Sequence, residues 1–170
     1  LDSKITQVKT KRSCTFCNLS KANFSHEDLN GVDFRFATLA GANLENADLR
    51  NANLEGADLT NTDLNQTILS FANLTNAKLD DIDLSNRDLT GTVFNNVDFS
   101  AVNLKNANLS GSILNNVDFR NIDLTGTILS FSNLIGSNLD GVELNNKDLT
   151  RVSLNKVDLS YKDLSNTMLF

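Results

Sequence analysis

The stretch ANLENADLRNANLEGADLT, residues 42–60, repeats one short pattern: Ala, then Asn or Asp, then Leu, then two variable residues. Leu occupies 44, 49, 54 and 59. Extending that step of five in both directions gives 31 positions from Leu19 to Leu169, and every one is Leu or Phe. Five is neither the 3.6-residue period of a helix nor the 2-residue period of a strand. It is also shorter than the leucine-rich unit of about 20–29 residues.

The Leu/Phe position is taken as the centre of each unit. Two residues before it stand small or β-branched residues such as Ala22, Ala42, Ala57, Val97 and Val142. In an extended segment this residue and the centre point the same way, into a core. The residue between them is Asn or Asp at 22 of the 31 positions, and its short side chain points outward, where it can bond nearby main chain. Gly or Asn is frequent two residues after the centre, as suits a turn with positive φ. Each unit therefore reads as a short extended face followed by a corner.

This motif, A(D/N)LXX in tandem and in register over 14–170, resembles the pentapeptide-repeat family. The resemblance implies an all-β fold: a right-handed, quadrilateral parallel β-helix with four repeats per 20-residue coil and about eight coils. At the ~4.8 Å spacing of stacked strands the rod is about 35–40 Å long. Residues 1–13 lie outside the repeat, with Ile5 and Val8 one helical turn apart, and read as a short, helical N-terminal cap. A solenoid needs such a cap over its first open coil.

The composition narrows the function. A formal net charge of −6 disfavours direct nucleic-acid binding. No run of apolar residues is long enough for a membrane span. The first 13 residues lack the apolar core of a secretion signal. One His, one Tyr and no nucleophile–base arrangement leave no catalytic site, no cofactor site and no phosphate loop, so no enzymatic activity is expected. Aspartates at steps of five, and sequons at Asn18, Asn23, Asn65, Asn73 and Asn108, are products of the lattice and carry no weight.

Cys14 and Cys17 form a C-x-x-C at the start of the repeat, at a centre and an inward position. The segment CTFCNLSKANF resembles the beginning of many cyanobacterial and plastid-lumen members. That resemblance implies a disulfide between Cys14 and Cys17 and an oxidising compartment, periplasm or thylakoid lumen, with cytoplasm as the alternative. Two buried thiols filling the first coil are the other reading. A zinc site lacks a second ligand pair, His26 being the single histidine.

The unbroken register sorts every remaining residue onto one of four faces, named here by their first centres. The Leu19 face and the Phe24 face each carry net −4, the Leu29 face about −1 and the Phe34 face about zero. Asp58, Asp98, Asp118 and Asp158 share one outward column of the Leu19 face. The outward apolar residues Phe71, Phe131, Ile68, Ile128 and Phe36, with Phe16, Val93, Ile113 and Ile135, fall on the other two faces. These are the candidate interaction residues. Glu27, Arg87 and Lys147, in one inward column, and Lys162 in the next stand where small residues belong. Their stems are expected to pack while their heads reach water at a corner. Several inward and outward positions repeat every 60 residues, as in TILSF at 67–71 and 127–131, which points to a duplicated three-coil unit.

The functional expectation is a non-enzymatic structural rod that binds a protein partner. The alternative is a DNA mimic that binds a DNA-processing enzyme such as gyrase, because the resembled family includes acidic rods that protect gyrase. This chain departs from those in having no loop that interrupts the coils, no C-terminal helix and a moderate charge. The apolar residues Met168, Leu169 and Phe170 suggest an end-to-end homodimer through the C-terminal coil.

Overall fold

A computed structural model describes residues 1–169 of the chain. Phe170, part of the end contact expected from the sequence, lies outside the described residues.

Helix α1 spans Asp2–Lys11, with Asp2 in its first turn and Lys9 and Lys11 in its last, the order its dipole favours. It ends at Arg12, which turns left-handed at φ 53° and returns its N–H to the Val8 carbonyl. Val8 is fully buried and Ile5 partly buried against the first coil, so α1 covers its open end. Lys9 pairs with Glu27 at 2.5 Å, and Arg12 with Asp28 at 3.3 Å.

From Ser13 onward the backbone winds in coils of 20 residues. Parallel bridges join most outward residues to the one 20 positions later, as in Asn23 to Asn43 and Asn43 to Asp63. The hydrogen bonds show the register. Phe24 N–H donates to the Asn43 carbonyl at 2.8 Å, and Asn43 N–H donates back to the Ala22 carbonyl at 2.9 Å. Each face is so short that a single residue makes the bridge. The 20-residue coil thus has four faces and four corners, one per five-residue unit.

The corners follow one rule. The centre carbonyl accepts from the N–H three residues on, as Leu19 does from Ala22 at 3.0 Å, and the residue before that N–H is left-handed. Positive φ at this place alone is the signature of a type II turn. The expected Gly and Asn are common there, yet so are residues that ordinarily avoid the region, including Lys21, Phe71, Arg151 and Tyr161. The left-handed conformation costs such residues about 1–2 kcal/mol each, and the coil-to-coil hydrogen bonds hold them there. Of the described corners, only the one at Ala101 lacks it.

The interior is the Leu/Phe row with its inward small residues. Centres from Leu19 to Leu149 are buried, whereas Leu154, Leu159 and Leu164 near the last coil are half-buried. Phe94, Phe99 and Phe119 meet edge to face, with centroids 5.0 and 5.4 Å apart. Inward Thr residues tie coils together. Thr62, Thr67, Thr92 and Thr127 each donate to the centre carbonyl 23 residues earlier. These bonds satisfy hydroxyls that would otherwise be buried alone.

Candidate interaction surface

The outward Asn and Asp side chains are largely committed to the backbone. Asp58, Asp98, Asp118 and Asp158 do share one column of the Leu19 face. Each accepts, through Oδ1, the N–H two residues on: Thr60, Ser100, Arg120 and Ser160, at 2.8–3.0 Å. Asp118 also holds Arg120 in a two-pronged pair, with Oδ2 2.6 Å from a guanidinium nitrogen. That pairing keeps the Asp118 carboxyl below the usual carboxylate range, and the Thr60 side chain does the same for Asp58. The acidic column is therefore partly neutralised and rigidly held. The sequon asparagines Asn18, Asn23, Asn73 and Asn108 are engaged in the same turn bond.

The Phe24 face is where the coils pair least. On the Phe34 face the bridges run unbroken from Ser13 through Asp33, Asn53, Asn73, Val93, Ile113 and Asn133 to Ser153. On the Phe24 face Asp123, Glu143 and Asp163 make none. A cleft of about 470 Å³ opens there, lined by Asp123, Glu143 and Lys147 among others. Carboxylates one above another repel at ~4.8 Å. Arg120 lies beside Asp98 and Asp118, and that bridge is present.

The inward charges reach polar partners at the corners. Lys147 donates its ammonium to the Leu124 carbonyl, the place an inward Thr would fill. Lys162 reaches the Leu139 and Val142 carbonyls at 2.5 and 3.1 Å. Burial pushes the Lys147 ammonium below its ordinary pKa, with Asp123 opposing. Arg87 donates to the Asn65 side chain at 3.2 Å while its Nε is buried without a partner.

The apolar candidates gather into separate clusters. Phe71 lies at the corner between the Leu29 and Phe34 faces, with Ile68 three residues before it. Phe131 and Ile128 repeat the arrangement three coils later. Phe71 is 60 % exposed and Phe131 58 %. The Phe71 ring covers Gly91, and Arg151 stands 5.9 Å over the Phe131 ring. Phe36 belongs to a different corner, where it stacks on Phe16 with centroids 4.9 Å apart and covers Gly56.

Sequence reasoning missed the side-chain amide ladder at that second corner. Asn96 donates to Asn76 at 3.1 Å and Asn116 to Asn96 at 3.3 Å. The signal was present in the corner residues read at every twentieth position.

Cys14 and Cys17 are joined by a disulfide, with Cα atoms 5.4 Å apart. Cys14 is fully buried, and Cys17 packs against the core from a half-buried place.

No curated protein matches the chain. Among solved structures it is similar to HetL, a pentapeptide repeat protein involved in heterocyst differentiation regulation from the cyanobacterium Nostoc sp. strain PCC 7120. The identity is 26 % over 92 % of this chain and 84 % of that one, with a TM-score of 0.47. It is similar to a pentapeptide repeat protein from the Arabidopsis thaliana thylakoid lumen, at 29 % identity over 69 % and 72 % of the two chains, TM-score 0.45. It is also similar to QnrB1, a plasmid-mediated fluoroquinolone resistance protein, at 20 % identity over 93 % and 89 %, TM-score 0.42. The family model for pentapeptide repeats matches residues 13–39, 28–66, 67–106, 103–141 and 132–169 in eight copies. Stacked 20-residue coils, a Leu/Phe interior and this match agree: the chain belongs to the pentapeptide-repeat family.

Proposed function

We propose that the protein is a non-enzymatic rod that binds a protein partner along its apolar side. The observation that carries this reading is the pair of matching clusters, Ile68–Phe71 and Ile128–Phe131, exposed on a rod whose other two faces are acidic. Large exposed aromatics are costly to leave in water and are favoured anchors in interfaces. The right-handed, quadrilateral winding that the family resemblance implies is part of the reading. The Cys14–Cys17 disulfide supports an oxidising compartment, periplasm or thylakoid lumen.

Affinity capture tests it. The wild type is compared with a Phe71→Ser/Phe131→Ser variant and with one carrying Asn at 58, 98, 118 and 158. Loss of the captured protein from the serine variant alone supports the apolar side. Retention by both variants removes this reading.

A second reading, a DNA mimic for a DNA-processing enzyme, is favoured by the net −4 on each of two adjacent faces. The Asp118–Arg120 pair weakens it, because the column is not uniformly anionic. A gyrase supercoiling assay unaffected by excess protein excludes it.

A further inference from the structure

The corner column between the Leu29 and Phe34 faces reads Phe71, Gly91, Gly111, Phe131 at successive coils. Gly91 is forced, since a Cβ there would meet the Phe71 ring at 2.4 Å. Gly111 is not: a Cβ there would meet nothing within 4 Å. Its φ of +65° is one that Asn adopts at many other corners of the rod. The result is a bare notch between two aromatic ridges. The ridges are three coils, about 14 Å, apart.

We infer that this notched edge is the contact of a side-by-side dimer, in which a second copy of the chain lies antiparallel with its two-fold axis at Gly91 and Gly111. The inference rests on the apolar side being the binding surface, and names its occupant. Three observations select a second copy. An isologous contact needs like features placed symmetrically about the axis. The column Phe71, Gly91, Gly111, Phe131 reads the same in both directions and supplies that symmetry: Phe71 of each copy meets Phe131 of the other, Ile68 meets Ile128, and the glycines let the backbones approach between them.

Charge favours the same edge. The Leu19 and Phe24 faces, each net −4, repel a second copy, whereas the Phe34 face carries no charged side chain from Asn73 to Asn155. On the Leu29 side the two-fold sets Asp88, between Ile68 and Ile128, opposite Asn108, and Arg151, over the Phe131 ring, opposite Asn51, so neither meets a like charge. The area comes close to what a stable contact needs. Phe71, Phe131, Ile68, Ile128 and Ile113 are 38–60 % exposed. They present roughly 500 Å² of mostly apolar surface per chain. Two copies bury roughly 1,000 Å² from these residues alone, and the flanking Asn side chains carry the total toward the ~1,200 Å² lower bound of stable interfaces.

The test is sedimentation velocity of the whole chain from 1 to about 200 μM, with oxidative cross-linking of single-cysteine variants. Cys14 and Cys17 are already paired, so an added cysteine supplies the reactive thiol. The wild type is expected to dimerise in this range, and Phe71→Ser/Phe131→Ser to weaken the dimer at least tenfold with an unchanged circular-dichroism spectrum. Ile113→Cys is expected to cross-link to its own copy, because it lies close to the axis. Met168→Cys, at the rod end, is expected not to. A monomer throughout, a dimer indifferent to the serine changes, or cross-linking through Met168→Cys but not Ile113→Cys overturns the proposal. A monomer whose serine variant still loses a captured foreign protein overturns the second copy and leaves the apolar binding side intact. Failure of both experiments removes both.

Discussion

The Phe36 ring lies over Gly56 so closely that a Cβ on the glycine would sit 2.4 Å from the ring's Cδ1. Gly56 has φ +64°, which Asn tolerates at many other corners. The ring, more than the backbone, therefore fixes this glycine. Gly56→Asn is expected to destabilise the wild type by about 1–2 kcal/mol. In a Phe36→Ala background the same change is expected to be nearly neutral. Urea unfolding of the four-member cycle measures the coupling.

The inward column that holds Thr67, Thr127 and Lys147 gives a second test. Thr67 donates to the Leu44 carbonyl at 2.8 Å from a buried site, so Thr67→Val is expected to cost about 1 kcal/mol by removing one of that carbonyl's two bonds, the other coming from Ala47 N–H. Lys147 makes the equivalent bond with a partly desolvated charge. Lys147→Thr is expected to raise the unfolding midpoint slightly, since a hydroxyl reaches the same carbonyl without a partly desolvated charge that water still screens. Denaturant midpoints decide. A loss on Lys147→Thr would show that the lysine stem contributes more than its head costs.

Acid is expected to weaken the rod gradually. Arg35, Arg50 and Arg120 hold the carboxyls of Asp33, Asp48 and Asp118 below their ordinary range, and Thr60 does so for Asp58. A carboxyl depressed in the folded state contributes stability that is fully present above its unfolded pKa of about 3.9. That contribution is lost as pH falls through the lower folded value. The groups are mostly exposed, so water screens each contribution. Urea midpoints are expected to be flat from pH 7 to about 5 and to fall below about 4. A fall beginning near pH 6 contradicts this assignment.

Reduction tests the clamp at the first coil. Cys14 and Cys17 are three residues apart, so the closed loop is tiny. The chain-entropy model gives about 2 kcal/mol for it. Dithiothreitol is expected to lower the unfolding free energy by about that amount and leave the coil spectrum intact. A Cys14→Ala/Cys17→Ala variant is expected not to respond to the reagent.

The architecture was legible because the step of five never slips, and a fixed step assigns each residue an inward, outward or corner place. Thr67 and Ile68 could be placed on opposite sides of the wall from the letters alone. The partners of the irregular residues were less legible. Glu27 finds Lys9 on α1, and Lys147 finds a carbonyl one coil back. These pairings depend on the coil rise and on side-chain reach, which a column of letters does not contain. The candidate surface was legible as a set of residues but not as a shape. The stack of Phe16 on Phe36 was legible at the twenty-residue step, whereas the bare notch beside Phe71 depends on the clearance around Gly111.

The bridging of outward residues to partners 20 positions later has a kinetic consequence. Parallel pairing ordinarily demands distant segments of chain, and folds slowly. Here the characteristic separation of 20 in a chain of 170 residues corresponds to a relative contact order of about 0.12, at the boundary between helical and mixed domains. One coil, once formed, is a template for the next on either side. The rod is therefore expected to fold by growth from any stable coil, at a rate set by forming the first two and not by the length of the chain.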